Sequence, residues 1–390
     1  MADTKYVTCT RCVLNSSFPG ISFDQDGICS VCHDYEKKHA SIKNQQKQLP
    51  EQRKILEQLC HDAKRKNRQF DVLVPLSGGK DSMYVLYLAV RELGLRPLAF
   101  TLDNGYLTQY ARDNIDRACR ILGVEHIYYC MDPQFMQHMF GFFMKKTGYF
   151  CAICMRAIGM ATERVAEMYD IPLVFGGSAA KVELPTAPEM FQPGEIHFVR
   201  NVFKGEQLPA GCQRLLYEGS LKRRIGYRLF WWGSQRRMRM CAWINLPSYV
   251  DWNYETMFRT IRDELGWQSP SGKAEEHIDC AVHKSSAYIH DRRWKGSETY
   301  RLTLAGLIMA GQMTREEALR QLETVQPVYS NEDLATLLHD MRMTKEEFDS
   351  YIDMGPRYVA FRKKESSLWY YTRISKRWLF AVLGIRKMKH

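Results

Sequence analysis

Residues 74–84 read VPLSGGKDSMY, which sets two glycines, two serines, a lysine and an aspartate between an apolar run and a segment of helical period. A strand-to-helix turn of this composition lets backbone N–H groups at Gly78 and Gly79 approach an anion closely, with Ser77 and Ser82 as hydroxyl donors. The helix that follows adds the positive end of its dipole. Lys80 supplies a point charge, and Asp81 can hold Mg2+ or cap the helix. The spacing is not the GxxxxGK of the common nucleotide loop. The anion it suits is a polyphosphate.

Outward from the loop, DVLVPL, RPLAFTLD, EHIYYC and IPLVFGG are short β-rich runs, separated by segments of helical period such as DSMYVLYLAVREL and MRAIGMATERVAEMY. Strand and helix alternating at this spacing predict an α/β fold, a doubly wound parallel sheet with helices on both faces. Ligands of such sheets bind at the carboxyl ends of the strands. The quoted loop lies at one such end, and Asp103-Asn104-Gly105 and Gly176-Gly177-Ser178 lie at others. Past about residue 185, Pro185, Pro188 and Pro193 mark an irregular stretch. Thr314 before Glu316 and Glu317, and Thr344 in MTKEEFDSYI, are capping arrangements that open helices of a mostly α C-terminal region.

Twelve cysteines point to metal or redox chemistry before disulfides in a reducing compartment. Cys9-x-x-Cys12 and Cys29-x-x-Cys32 face each other across a Gly- and Pro-containing spacer. Two such turns make a closed tetrahedral sulfur site that suits a structural Zn2+, a zinc ribbon, with His33 as a neighbour or substitute ligand. No run approaches the roughly 18 apolar residues of a membrane span, and MADTKYVTC carries no apolar signal-peptide core. A cytoplasmic protein is expected. The formal charge of +11 is concentrated in Lys222 to Arg239 and in Arg357 to the C-terminus, which leaves the rest net acidic and excludes a uniformly basic nucleic-acid binder. The expected order is a zinc ribbon at 1–35, a helical connector at 36–69, a nucleotide domain at 70–185, a substrate-specificity region at 186–300 and a helical region with a basic tail at 301–390.

On these residues the chain resembles the PP-loop ATP pyrophosphatase superfamily, whose SGGxDS motif stands intact as Ser77-Gly78-Gly79-Lys80-Asp81-Ser82. The resemblance implies that the loop cradles the β- and γ-phosphates of ATP, split to AMP and pyrophosphate when a substrate oxygen attacks the α-phosphorus. Lys80 and Asp81 are its catalytic candidates, and Asp103 matches the position of an acidic residue near ATP and Mg2+. Most of the chain is similar to N-acetyl sugar amidotransferases of surface-polysaccharide biosynthesis, through CTRC and FPGISFDQDGICSVC, DVLVPLSGGKDSMYVLY, LRPLAFTLDNG, and DELGW followed by LIMAGQMTREEAL. Residues 185–240 are unmatched. The chemistry implied is adenylylation of a carbonyl oxygen on an N-acetylated, nucleotide-linked sugar, followed by displacement of AMP by ammonia. The chain begins Met-Ala-Asp, without an N-terminal cysteine nucleophile, and shows no glutaminase motif, so ammonia is expected from a glutaminase partner. Lys181 is the candidate for neutralising the α-phosphate and Glu183 for accepting a hydrogen bond from the substrate.

The chain also looks like the tRNA-thiolation branch of the same superfamily. There Cys151-Ala-Ile-Cys154, with Cys241 or Cys280 as a third thiolate, would hold an iron–sulfur cluster, and the basic, aromatic KRRIGYRLFWWGSQRRMRM would meet RNA. The sugar reading ranks above it because the C-terminal helical segment resembles the sugar enzymes. LWYYTRISKRWLFAVLGIRKMKH interleaves aromatic and basic residues. It suits either a peripheral contact with anionic lipid at the inner membrane face or a packing helix.

Overall fold

The computed structural model describes residues 6–18, 20–37, 49–65, 68–177, 196–217, 219, 242–269, 279–294, 298–323 and 329–354. Its centre is a five-stranded sheet of β1 (Val72–Pro75), β2 (Pro97–Asp103), β3 (Glu125–Cys130), β4 (Leu173–Gly176) and β5 (Ala242–Asn245), in the order β3-β2-β1-β4-β5. Every neighbouring pair is parallel. Because side chains alternate along a strand, Val72 and Val74 join Ala99, Leu173 and Phe175 in one core layer, whereas Leu73 joins Leu98, Phe100 and Val174 in the other. Each such side chain contributes about 1.5–3 kcal/mol by leaving water. Asp71, buried at the foot of β1, takes both guanidinium bonds of Arg96, at 3.1 and 3.0 Å, and so ties β1 to the start of β2.

Helices cover both faces. On one lie α2 (Leu49–Lys64), α3 (Lys80–Tyr87), α4 (Gln109–Leu122) and α9 (Tyr254–Leu265), which contribute Leu56, Met83, Ile115 and Ile261 to the core. On the other, α6 (Ala152–Met168) contributes Ala161 and Val165. The chain runs from β1 outward through β2 to β3 and then crosses back to β4 on the far side of β1. The carboxyl ends of β1 and β4 therefore feed connections that diverge, and the crevice between them is where such sheets bind ligands. The SGGKDS loop opens from β1 at this crevice.

Two further cores complete the fold. In the first, α5 (Pro133–Thr147) and the start of α6 pack with α7 (Ile196–Phe203), α8 (Cys212–Leu215), α10 (Ala281–Trp294), α13 (Asn331–Met341) and α14 (Lys345–Asp353) around Phe140, Phe143, Phe150, Leu337 and Phe348. Capping boxes at Ser330/Asp333 and Thr344/Glu347 open the last two helices. In the second, the N-terminal ribbon and the helix α1 over 30–37 bring Leu14, Phe18 and Tyr35 against Leu304 and Ala305 of α11 (Glu298–Met309) and Ala318 of α12 (Arg315–Glu323). Thr314 caps α12 through the Glu317 N–H at 3.2 Å.

The doubly wound sheet, the ribbon and the helical C-terminal region are the architecture the sequence leads one to expect. The fifth strand is an addition: Ala242–Asn245 is only four residues long and does not alternate. No helix among the described residues is long and apolar enough to cross a membrane. The two basic segments, 222–239 and 357–390, lie outside the described residues.

Candidate active site

The loop is built by its serines. Ser77 Oγ accepts the Gly79 N–H at 3.2 Å, Ser82 Oγ accepts the Ser77 N–H at 3.2 Å, and Ser82 donates to the Gly79 carbonyl at 2.9 Å. The two hydroxyl oxygens stand 3.4 Å apart across the turn. Gly78 adopts φ +83°, and a Cβ on it would lie 2.6 Å from Ala111 Cα, so any side chain would drive α4 off the loop. Gly79 caps α3 with extended backbone, so the first N–H groups of an eight-residue helix point into the crevice. From the other side, Gly177 packs on the first turn of α3: a Cβ there would meet Val85 at 3.3 Å and Asp81 at 3.5 Å.

Among the expected charged residues, Asp81 has a partly exposed carboxylate 3.4 Å from the Lys80 ammonium. Lys80 itself is buried, 4% exposed, with its Nζ 5.5 Å from the centre of the Tyr254 ring. Its charge is thus shared between Asp81 and an aromatic face inside the protein. Asp103 stands at the carboxyl end of β2, where Arg112 of α4 donates to it at 2.7 Å and the Gly105 N–H at 2.9 Å. A cation held there would share Asp103 with Arg112. Lys181, Glu183 and Ser178 lie outside the described residues.

Two residues outside the expected set converge on the loop. The indole of buried Trp267 donates to the Gly78 carbonyl at 2.9 Å. Gln312, between α11 and α12, accepts the Tyr254 N–H at 3.0 Å and donates to the Trp252 carbonyl at 3.2 Å, so it seats the ring that covers Lys80. Their segments, DELGW and GQMTREEAL, are among those that carry the sequence resemblance. Nothing in local pattern ties either to the loop: the Trp267 contact spans 189 residues, and Gln312 acts on the loop only through Tyr254, 58 residues before it in the chain.

Behind the loop, at the carboxyl end of β2, three cysteines gather. The Asn104 amide donates to Cys154 Sγ at 3.3 Å and to Cys280 Sγ at 3.6 Å, and Cys151 Sγ lies 3.6 Å from His283 Nδ1. Cys280 is delivered by a short antiparallel bridge with Leu107. Burial pushes the Cys154 thiol up to about 12 and raises Cys151 and Cys280 as well. Of the two expected third thiolates, Cys280 stands here, and Cys241 lies outside the described residues.

The ribbon cysteines differ. Cys9, Cys12, Cys29 and Cys32 are buried, and their sulfurs all lie within 4.8 Å of one another, the one group of three or more His, Cys, Asp or Glu ligand atoms among the described residues to do so. Cys12 and Cys29 sulfurs are 3.7 Å apart, and those of Cys9 and Cys32 3.9 Å. A tetrahedral ion at about 2.3 Å from each sulfur sets them about 3.8 Å apart, so the spacing fits one such ion. Hydrogen bonds from Cys12 and Cys32 push the Cys29 thiol down, whereas hydrogen bonding to Cys29 and Cys32 pushes the Cys12 thiol up. His33 is paired with Asp24 at 2.7 Å instead. Arg315 grips the site from α12, donating at 3.0 Å to the carbonyls of both Cys9 and Cys12.

Residues 286–376 match the family model described as LPS biosynthesis protein WbpG-like, C-terminal domain. Among solved structures, the chain is similar to NMN synthetase from Francisella tularensis, at 13% identity and TM-score 0.31 over 76% of this chain and 94% of that one. It is similar to the U34-tRNA thiolase NcsA from Methanococcus maripaludis with its 4Fe-4S cluster, at 16% identity and TM-score 0.32 over 82% and 89%. It is also similar to the NH3-dependent NAD synthetase from Campylobacter jejuni subsp. jejuni NCTC 11168 in complex with the nitrate ion, at 15% identity and TM-score 0.29 over 77% and 96%.

Proposed function

We propose, from the premise that a PP-loop ATP pyrophosphatase domain is joined here to a WbpG-like C-terminal domain, that the chain is an ATP-dependent N-acetyl sugar amidotransferase of surface-polysaccharide biosynthesis. The observation that carries the reading is the SGGKDS loop at the sheet's switch point, held from outside by segments on either side of the match's start at residue 286. In this reading the loop N–H groups, the Ser77 hydroxyl and the N-terminus of α3 bind the β- and γ-phosphates of ATP, with Ser82 bracing the turn. A carbonyl oxygen of the sugar's acetamido group attacks the α-phosphorus, and pyrophosphate leaves into the loop. Ammonia then adds to the activated carbon and AMP leaves, so that oxygen is replaced by NH. Donors fixed before the reaction stabilise the charge that grows on the departing pyrophosphate. Asp81 would hold Mg2+, which when bound neutralises part of that charge. Lys181 and Glu183 are assigned to the α-phosphate and the sugar, and a glutaminase partner to the ammonia. The ribbon cysteines would hold Zn2+ in a structural role. The enzyme would work in the cytoplasm, with its basic aromatic C-terminus against the inner face of the membrane.

The test is a product assay with ATP, Mg2+, ammonium and a panel of nucleotide-linked N-acetylated sugars. The expected outcome is AMP and pyrophosphate, together with a sugar about one dalton lighter by mass spectrometry. Ser77→Ala and Asp81→Ala should each lower turnover by about a hundredfold or more while the chain stays folded. ADP and phosphate as products would overturn the loop assignment, and no AMP above background across the panel would overturn the sugar.

A second reading is favoured by one observation, the approach of Cys280 to Cys151 and Cys154. In it the three thiols would hold an iron–sulfur cluster, and the chain would thiolate tRNA. Iron, a brown chromophore and co-purifying tRNA in anaerobically prepared protein would put this reading first.

A further inference from the structure

The peptide between Gly78 and Gly79 decides where the loop's donors point, and it is fixed from outside the loop. Its carbonyl accepts the Trp267 indole N–H at 2.9 Å. A trans peptide places its C=O and N–H on opposite sides. With the Gly78 carbonyl turned toward Trp267, the Gly79 N–H is turned the other way, to the side where Ser77 Oγ receives it. Free rotation of this peptide is what two adjacent glycines would otherwise allow.

Trp267 is itself clamped on both flanks. Arg117 of α4 donates to the Gly266 carbonyl at 2.6 Å. Buried Asn114 forms a reciprocal pair with the backbone of Gln268, donating to its carbonyl at 2.8 Å and accepting its N–H at 2.9 Å. The indole also stands edge-on to Phe258 at 5.6 Å. Gly266, at φ +62°, ends α9, and a Cβ on it would come 2.9 Å from Arg117 Cδ. The same helix, α4, presses Ala111 on Gly78. One rigid element therefore holds both the loop and the residue that orients it.

We propose that Trp267 is a positioning residue for pyrophosphate: by holding the Gly78 carbonyl it keeps the Gly79 N–H on Ser77 Oγ, and so fixes the Ser77 hydroxyl that faces the β,γ-phosphate site. This rests on the proposed function, in which that site takes the leaving pyrophosphate. An indole N–H that merely packed would contribute to stability alone. One that orients the loop acts on phosphate affinity and leaves the affinity for the nucleoside end unchanged.

The experiment measures binding of pyrophosphate, ATP and AMP to the full chain by calorimetry, with Trp267→Phe and with a chain bearing benzothienylalanine at position 267, which keeps the ring's shape and lacks the N–H. Both should bind pyrophosphate about tenfold more weakly than the parent and AMP equally well. Should Trp267→Phe fail to fold, the benzothienylalanine chain decides. Pyrophosphate affinity within twofold of the parent in a folded variant would overturn the inference and leave the proposed function standing. A parent chain that binds neither ATP nor pyrophosphate would overturn both.

Discussion

The cysteines at 9, 12, 29 and 32 and those at 151, 154 and 280 are one residue type in two opposite surroundings. In the ribbon, Cys9 Sγ accepts three backbone N–H bonds, from Arg11, Cys12 and Cys29 at 3.3–3.4 Å, and Cys12 and Cys29 each accept one more, from Leu14 and Cys32. Such donors complement the charge of a metal-bound sulfur. At the sheet end, Cys151 starts a helix and Cys154 lies in its first turn, so both sulfurs sit where burial outweighs the single amide of Asn104 and keeps them protonated. The same Cys-x-x-Cys spacing is thus prepared for a metal in one place and held as neutral thiols in the other. What separates them is the local turn, which either does or does not direct N–H groups at the sulfurs.

The largest expected effect falls on the ribbon. Cys9→Ser should remove the zinc, measured as about one ion per chain in the parent, and cost several kcal/mol of stability, because metal-binding energy is folding energy. Metal-free parent protein of full stability would break the contrast. Next comes Arg315→Gln, which removes the bonds to the Cys9 and Cys12 carbonyls. It should lower stability by about 1–3 kcal/mol in a urea titration, with the zinc retained but lost faster to a chelator.

A smaller effect belongs to the three inner thiols. Cys154 is raised in the folded state to about 12, chiefly by burial and then by the charge of Cys280. The proton stabilises the folded form, so this contribution is complete below the ordinary thiol value of about 8.5 and is lost as pH rises toward 12. The urea midpoint should fall across that window, and less steeply in Cys154→Ala. Equal slopes would mean that the thiol is not held as described. The smallest expected change is in metal content on Cys151→Ser: the zinc stoichiometry should stay the same, and parent and variant should both be colourless. Iron bound in the parent and lost in the variant would erase the distinction and favour the second reading.

How much of this was legible from sequence divides along the range of the interactions. Strands β1 to β4 follow from runs such as DVLVPL, the caps at Thr314 and Thr344 from three-residue spacings, and the ribbon from paired Cys-x-x-Cys, all local signals. β5 was missed because Ala242–Asn245 is only four residues long and does not alternate. Cys280 could be named only as one of two candidates, since what brings it to Cys154 is a bridge to Leu107 far back in the chain. Lys80 reads as a point charge beside two glycines, and only the fold reveals that Tyr254 covers it. Trp267 and Gln312 carry no local mark of their roles.

The pairing of the ribbon with α11 and α12 also sets an order of events during synthesis. Leu14 and Phe18 leave the ribosome first, but the helices that cover them end at residue 323. At about 5–20 residues per second, that interval lasts roughly 15–60 s. A nascent ribbon can fold on its metal at once, yet its apolar face stays uncovered until residue 323 has been made. Slow codons ahead of α11 would lengthen its exposure.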